Sequence, residues 1–265
     1  MNSCERPVRL KRARQVCKME IMFRKTFRAS LISITTLLLV FSVSAQTHDA
    51  KTTSLQLGDK VVVIPDPEGF EEAASQFEII KKNMSATEDP GNDMLAVHLP
   101  KEDCERVRRG EFGAFKFYTK VSVRKANRTR EETASDFSGL VSEFRKSGAD
   151  ALDINSPRMK AALERLEKSV SELGNSDSKP QMSQPVNLGE FDTRPNVYSV
   201  LLSLSYQYEE NGVRRTRPIL GGLTFLRVNQ RLIYVYTYRS YTAKTDIEVL
   251  QDFTRKWVGK ILAAN

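Results

Sequence analysis

Few residues in this 265-residue chain could do chemistry, and each has a bland alternative. Cys104 is the sharpest of them. It falls in P-K-E-D-C-E-R-V-R-R, in the first turn of an expected short helix, with Arg106, Arg108 and Arg109 close behind. Helix N-terminal amides and guanidinium cations both favour thiolate, so Cys104 is a candidate reactive thiol. Cys104 and Val107 also share an i,i+3 face, and a lone cysteine on such a face packs as a small hydrophobe.

His98, between Val97 and Leu99 in an expected strand, is the other candidate. It could act as a base with acids from the loops, or be a structural core histidine. His48, the second of two histidines, lies too close to the N-terminal leader for an ordered role to be expected. No G-x-S-x-G elbow is present, and no second cysteine or histidine stands at metal-ligand spacing. We therefore assign no catalytic residue, no metal site and no cofactor from the sequence, and favour a non-enzymatic protein. A hydrolase or thiol enzyme using Cys104 or His98 is the alternative.

A third candidate needs pairing to exist. Tyr206 and Tyr208 precede Asn211-Gly212, and Arg214, Arg215 and Arg217 follow it. Asn-Gly is a strong signal for a two-residue type I′ hairpin, because both central positions need positive φ. Closing there sets Glu209 opposite Arg214, Tyr208 opposite Arg215 and Tyr206 opposite Arg217. That could make an anion-facing binding patch; a packed sheet face with snorkelling arginines is the plainer reading.

The elements that must position these residues follow from periodicity. Residues 1–45 read as a basic leader and signal peptide, with Arg24, Lys25 and Arg28 before an apolar run ending in Val43-Ser44-Ala45. Met22 is then a candidate true start. The uncharged stretch 29–47 could instead remain as a membrane anchor. Residues 1–45 hold nine of the 41 lysines and arginines and two of the 33 acids, which leaves 32 against 31 for the rest. The net charge of +8 therefore belongs to the leader, and nucleic acid is not an expected partner.

Residues 46–58 read as a flexible linker and 59–265 as one domain. Lys60 to Ile64 is a β-branched strand, stopped by Pro65-Asp66-Pro67. Phe70, Ala73, Phe77 and Ile80 fall on one helical face. Met94 to Leu99 and Phe115 to Val123 read as strands, with the short helix of Cys104 between them. Thr129 and Glu132 form an expected capping box for a helix of Ala134, Phe137, Leu140 and Phe144, closed by Gly148. Met159, Leu163, Leu166, Val170 and Leu173 stripe a further helix. A three-stranded meander follows, in which Pro218 and Gly221-Gly222 suggest a bulge or edge, and a helix closes the chain. Thr245 and Glu248 are its expected cap. The order implies an α+β domain on a largely antiparallel sheet, with helices on both faces.

The stretches V-V-V-I-P-D-P-E-G-F-E-E-A and N-D-M-L-A-V-H-L-P-K-E-D-C-E-R-V-R-R-G-E-F span roughly Val61 to Val123 with the segments that adjoin them. They resemble a group of exported bacterial proteins marked by I-P-x-P-x-G-F-x-E. More loosely, the architecture is similar to the Mog1/PsbP-like fold. The first resemblance implies export and the second implies only a fold. The expectation is thus an exported binding or envelope-accessory protein, periplasmic or extracellular, whose partner is a protein or a small anionic ligand. It meets a membrane only if the leader is uncleaved.

Overall fold

The computed structural model describes residues 51–151, 153, 155–157, 160–161, 164, 181–210 and 213–265, all within the unit His48–Asn265. The leader, the possible anchor at 29–47, the Met159–Leu173 stripe apart from single positions between its members, and the Asn211-Gly212 turn lie outside the described residues. The fold is α+β. Strands β1 (Thr52–Leu57) and β2 (Lys60–Pro65) form a separate antiparallel hairpin. The eight-stranded sheet contains β3 (Phe70–Glu72), β4 (Asn92–Pro100), β5 (Phe117–Arg124), β6 (Gln181–Met182), β7 (Val186–Asp192), β8 (Val197–Glu210), β9 (Val213–Val228) and β10 (Arg231–Ser240). Its order is β3-β4-β5-β10-β9-β8-β6, with β7 also on β8, and every pairing is antiparallel.

Helices cover both faces. On one lie α1 (Glu78–Ala86), α2 (Lys101–Arg108) and α3 (Ala134–Ala151). Phe137 and Val141 of α3 pack on Tyr198, Val200 and Phe225, while Ile80 and Val107 pack with Val97 and Leu99. On the other face α4 (Thr245–Ala263) buries Leu250, Trp257, Val258 and Ile261. There Trp257, Val258 and Ile261 meet Val121, Leu226, Ile233 and Val235, together with Leu57, Val62 and Ile64 of the hairpin. Leu226 and Phe225 thus serve opposite cores, as strand alternation requires.

Five expectations are corrected. Residues 52–57, expected in a flexible linker, are strand β1. Leu55 and Leu57 alternate with polar neighbours, and Gly58 at φ +65 turns the chain back onto β2. The helix expected from Phe70 begins at Glu78. Phe70, Glu71 and Glu72 instead pair with Pro100, Leu99 and His98, so Phe70 leaves the helical face and joins Phe117 and Phe253. The capping box of α3 is Thr133 with Asp136, one turn later than Thr129 with Glu132. Gly148 does not close that helix, which runs on to Ala151. At α4 the expected Thr245 and Glu248 cap does not form: the N-cap is Lys244 without a side-chain bond, and Asp246 of the first turn reaches back to accept from the Thr242 and Ala243 amides, the Thr242 hydroxyl and Arg239. Those four donors hold its carboxyl well below the usual range.

Strand β9 crosses Pro218 and Gly221-Gly222 unbroken. Pro218 sits just past the last rung with β10, Ser240 opposite Ile219, where its missing amide costs no bond to that strand. Gly222 is required by α4: a Cβ there would run into the Thr237 hydroxyl, which bonds Thr254 of the helix at 2.8 Å. The turn at Asn229 and Gln230 has positive φ at both residues, as an I′ hairpin needs.

One polar assembly ties α1 to the sheet. Lys120 of β5 meets Glu88 at 2.8 Å, and Glu88 also accepts from Ser122 and Asn92. Both ionic side chains are under a tenth exposed, and Lys120 stands over the Tyr236 ring. No described helix is long and apolar enough to cross a membrane.

Candidate functional site

The corner Pro65–Gly69 is built to hold a fixed shape. Prolines flank Asp66, the Asp66 amide donates to the Lys51 carbonyl, and the Phe70 amide donates to that of Pro67. Gly69 sits at φ +78, a conformation most side chains resist. The corner is welded to α4 by the Trp257 Nε1–H, which donates to the Pro65 carbonyl at 2.8 Å.

An open groove of about 690 Å³ runs between corner and helix, lined by Pro67, Glu68, Val249, Asp252, Phe253, Lys256, Trp257 and Lys260. Its helix side is one stripe at spacings of three and four. Phe253 rests on Phe70 and Phe117, with ring centroids 4.9 and 4.5 Å away, so the groove wall is backed by an aromatic cluster. Val249 is 44% exposed, and Lys256 and Lys260 are exposed beside it.

His98 lies behind that wall. Its ring packs edge-on against Trp257, its Nδ1 is 3.3 Å from the Thr119 hydroxyl, and its Nε2 is 3.3 Å from Asp66 Oδ1. The approach to Asp66 is too oblique for a hydrogen bond, and neither atom has another partner among the described residues. Tertiary closure therefore does bring His98 to a loop acid, as a hydrolase would want. Yet His98 and Thr119 are fully buried, so no substrate reaches them.

Cys104 lies in the core, as a residue sharing a face with Val107 would. The side chain is fully buried among Ala73, Leu99 and Val107, and burial, reinforced by Glu71, pushes the thiol up to about 12. Arg108, counted on to favour thiolate, pairs instead with Glu71 and Glu105. Desolvation outweighs the helix end, so Cys104 is a core residue. In a chain started at Gln46, a maleimide at pH 7 is expected to leave Cys104 untouched for hours in buffer and to label it within minutes in urea. Fast labelling of the folded chain would contradict this.

The hairpin register is the one its turn implies: Tyr206 pairs with Arg217, Tyr208 with Arg215 and Glu209 with Arg214. The side chains of Tyr208 and Arg214 lie outside the described set. Arg215 is exposed. Arg217 is not presented to solvent as the expected patch requires. Its Nε and Nη2 donate to the Ser240 hydroxyl, and Nη2 also donates to the Phe115 carbonyl. Tyr206 is half-buried, and burial raises its pKa.

No family model matches the chain, and no curated protein does. Two solved structures are similar to it. The Ran-binding protein Mog1p of Saccharomyces cerevisiae is 10% identical with a TM-score of 0.26, over 81% of this chain and 94% of that one. A variant of the protein Mog1 is 12% identical with a TM-score of 0.25, over 77% and 84%. At these identities and TM-scores nothing about this chain's function follows from them.

Sequence reasoning missed the groove. Pro67 and the helical spacing of Phe253 and Trp257 are each legible, but nothing local says that they meet.

Proposed function

We propose that this is an exported, non-enzymatic domain that binds a protein partner in the groove between the Pro65–Gly69 corner and α4. The groove carries the reading: exposed Val249 and half-buried Phe253 line it on a rigid frame of buried Pro67 and Trp257, with Lys256 and Lys260 at the rim. Rigid presentation lowers the ordering cost of binding. The buried positions of His98 and Cys104 support a binding role over the hydrolase or thiol enzyme. The leader at 1–45 supports a periplasmic or extracellular address, with an anchor at 29–47 as the alternative arrangement.

Site-specific photo-cross-linking tests this in the producing cell. A benzophenone side chain at Val249 should give one discrete protein adduct in the exported fraction. The same group at Val61, 46% exposed but outside the groove, should not. No adduct at Val249, or residence of the chain in the cytoplasm, would refute the proposal. Ester or peptide turnover lost in a folded His98→Ala variant would replace it with the hydrolase reading.

A further inference from the structure

The hairpin β1–β2 has two outer edges, and their main-chain groups differ. On β2 the groups that face away from β1 are met by side chains. The Val61 carbonyl accepts from Asn229, and the Asn265 carboxamide clasps the Val63 amide and carbonyl at 2.9 and 2.7 Å. The Pro65 carbonyl accepts from Trp257. On β1 the direction of each residue follows from Lys51, whose carbonyl accepts from the Asp66 amide across the hairpin. Alternation then turns the main-chain groups of Thr53, Leu55 and Leu57 toward β2, and those of Thr52, Ser54 and Gln56 away from it. Of those outward groups, only the Gln56 carbonyl has a partner among the described residues, the exposed Arg128 at 3.3 Å.

The other described edges are guarded. Strands β3 and β6 have three and two residues, and β4 beyond β3 shifts register at Met94. Strand β7 is broken by two register shifts, with Gly189 at φ +115, and the reach of β9 beyond β10 carries Pro218 and three arginines. Short length, bulges, proline and charge are the devices that keep strand edges from pairing. Strand β1 has none of them: its register is unshifted over six residues and its sequence, T-T-S-L-Q-L, is uncharged.

We propose that β1 is a self-association edge, at which the β1 strands of two copies of this chain pair antiparallel about a two-fold axis at Ser54. Unpaired amides and carbonyls select an extended backbone as the occupant, and two features select a second copy. A neutral strand meets its own copy without opposing like charges, and pairing centred on Ser54 closes on itself. Thr52 then stands opposite Gln56 of the second copy, so every outward group pairs: two bonds at Ser54 and two at each Thr52–Gln56 rung. The Arg128 bond is the one contact that gives way. On the core side, half-buried Leu55 comes beside Thr53 of the second copy and the margin of the core is extended. A sheet of two strands becomes one of four. The pairing uses none of the groove's residues, so it stands or falls separately from the binding reading.

Sedimentation of the chain started at Gln46 should show a monomer–dimer equilibrium within about 1–300 µM. Cys104, the sole cysteine of that chain, is buried, so an introduced thiol reports on the edge. Under mild oxidant Ser54→Cys should form a disulfide dimer about tenfold or more faster than Thr52→Cys or Gln56→Cys, whose like positions lie about 13 Å apart along the strands. Mixing the latter two variants should restore fast cross-linking. Ser54→Pro removes the central donor without touching a β1–β2 bond, and should keep the fold while abolishing the dimer. Ser54→Lys and Ser54→Glu change an exposed side chain, should each weaken the dimer about fivefold or more, and should pair when mixed. These two decide the matter if the proline variant fails to fold. A monomer throughout the range, a dimer indifferent to the Ser54 variants, or fastest cross-linking at Thr52 or Gln56 would each overturn the proposal. So would a Ser54→Cys adduct with a different protein in the exported fraction and none with a second copy.

Discussion

Trp257→Ala is expected to destabilise the domain by about 3–5 kcal/mol, the range for a large aromatic removed from a core. Trp257 is 1% exposed and joins two parts of the chain 192 residues apart in sequence. It fills the core between β-sheet and α4, covers the His98 ring, and donates its indole N–H to the Pro65 carbonyl. Truncation removes the buried surface, orphans that carbonyl and opens a path from the groove to the Asp66–His98 pair. Trp257→Phe separates the effects: it keeps most of the volume and loses the hydrogen bond, for about 1–3 kcal/mol. Urea unfolding followed by far-ultraviolet circular dichroism measures both. A Trp257→Ala loss below about 1 kcal/mol would show that the corner holds to the helix without its indole.

Lys120→Met is the second large effect, about 3–5 kcal/mol, because it strands a carboxylate in the sheet's interior. Glu88 would keep its bonds from Ser122 and Asn92 but lose the cation 2.8 Å away. The cost is that of the remaining charge rather than the worth of the pair, so it should be recoverable. Adding Glu88→Gln to Lys120→Met removes the stranded charge, leaves Ser122 an acceptor, and should restore at least about 2 kcal/mol. A double-mutant cycle in urea reads this coupling directly. If the two substitutions simply add, the assembly is not electrostatically coupled and α1 is held by its apolar face alone.

Where a property lives within a few neighbouring residues, the sequence carried it. Alternation in Tyr198 to Tyr208 and in Leu226 to Val235 named both the strands and their two faces. The Asn211-Gly212 signal set a register seen in full, Tyr206 against Arg217 and Tyr208 against Arg215. Helices on both faces, the α+β class and the Asn229-Gln230 turn follow from the same short-range rules. Phe70 shows the limit of such rules. Its spacing to Ala73 and Phe77 fits a helix, but pairing with Pro100 places it in a strand, and that partner lies 30 residues away.

Chemistry was decided by tertiary structure alone. Cys104 has the neighbours of an activated thiol along the chain, and its reactivity is set by what desolvates it in space, Leu99, Val107 and the acid of Glu71. Arg217 has the neighbours of an anion site, and its guanidinium is drawn to Ser240 and Phe115 instead. The groove exists because Trp257 reaches Pro65, a contact that no local pattern of polar and apolar residues encodes. Periodicity is a property of the backbone's own geometry and can be read from any stretch of it. Burial and proton affinity depend on which distant segment arrives, and that is settled only when the chain has closed on itself.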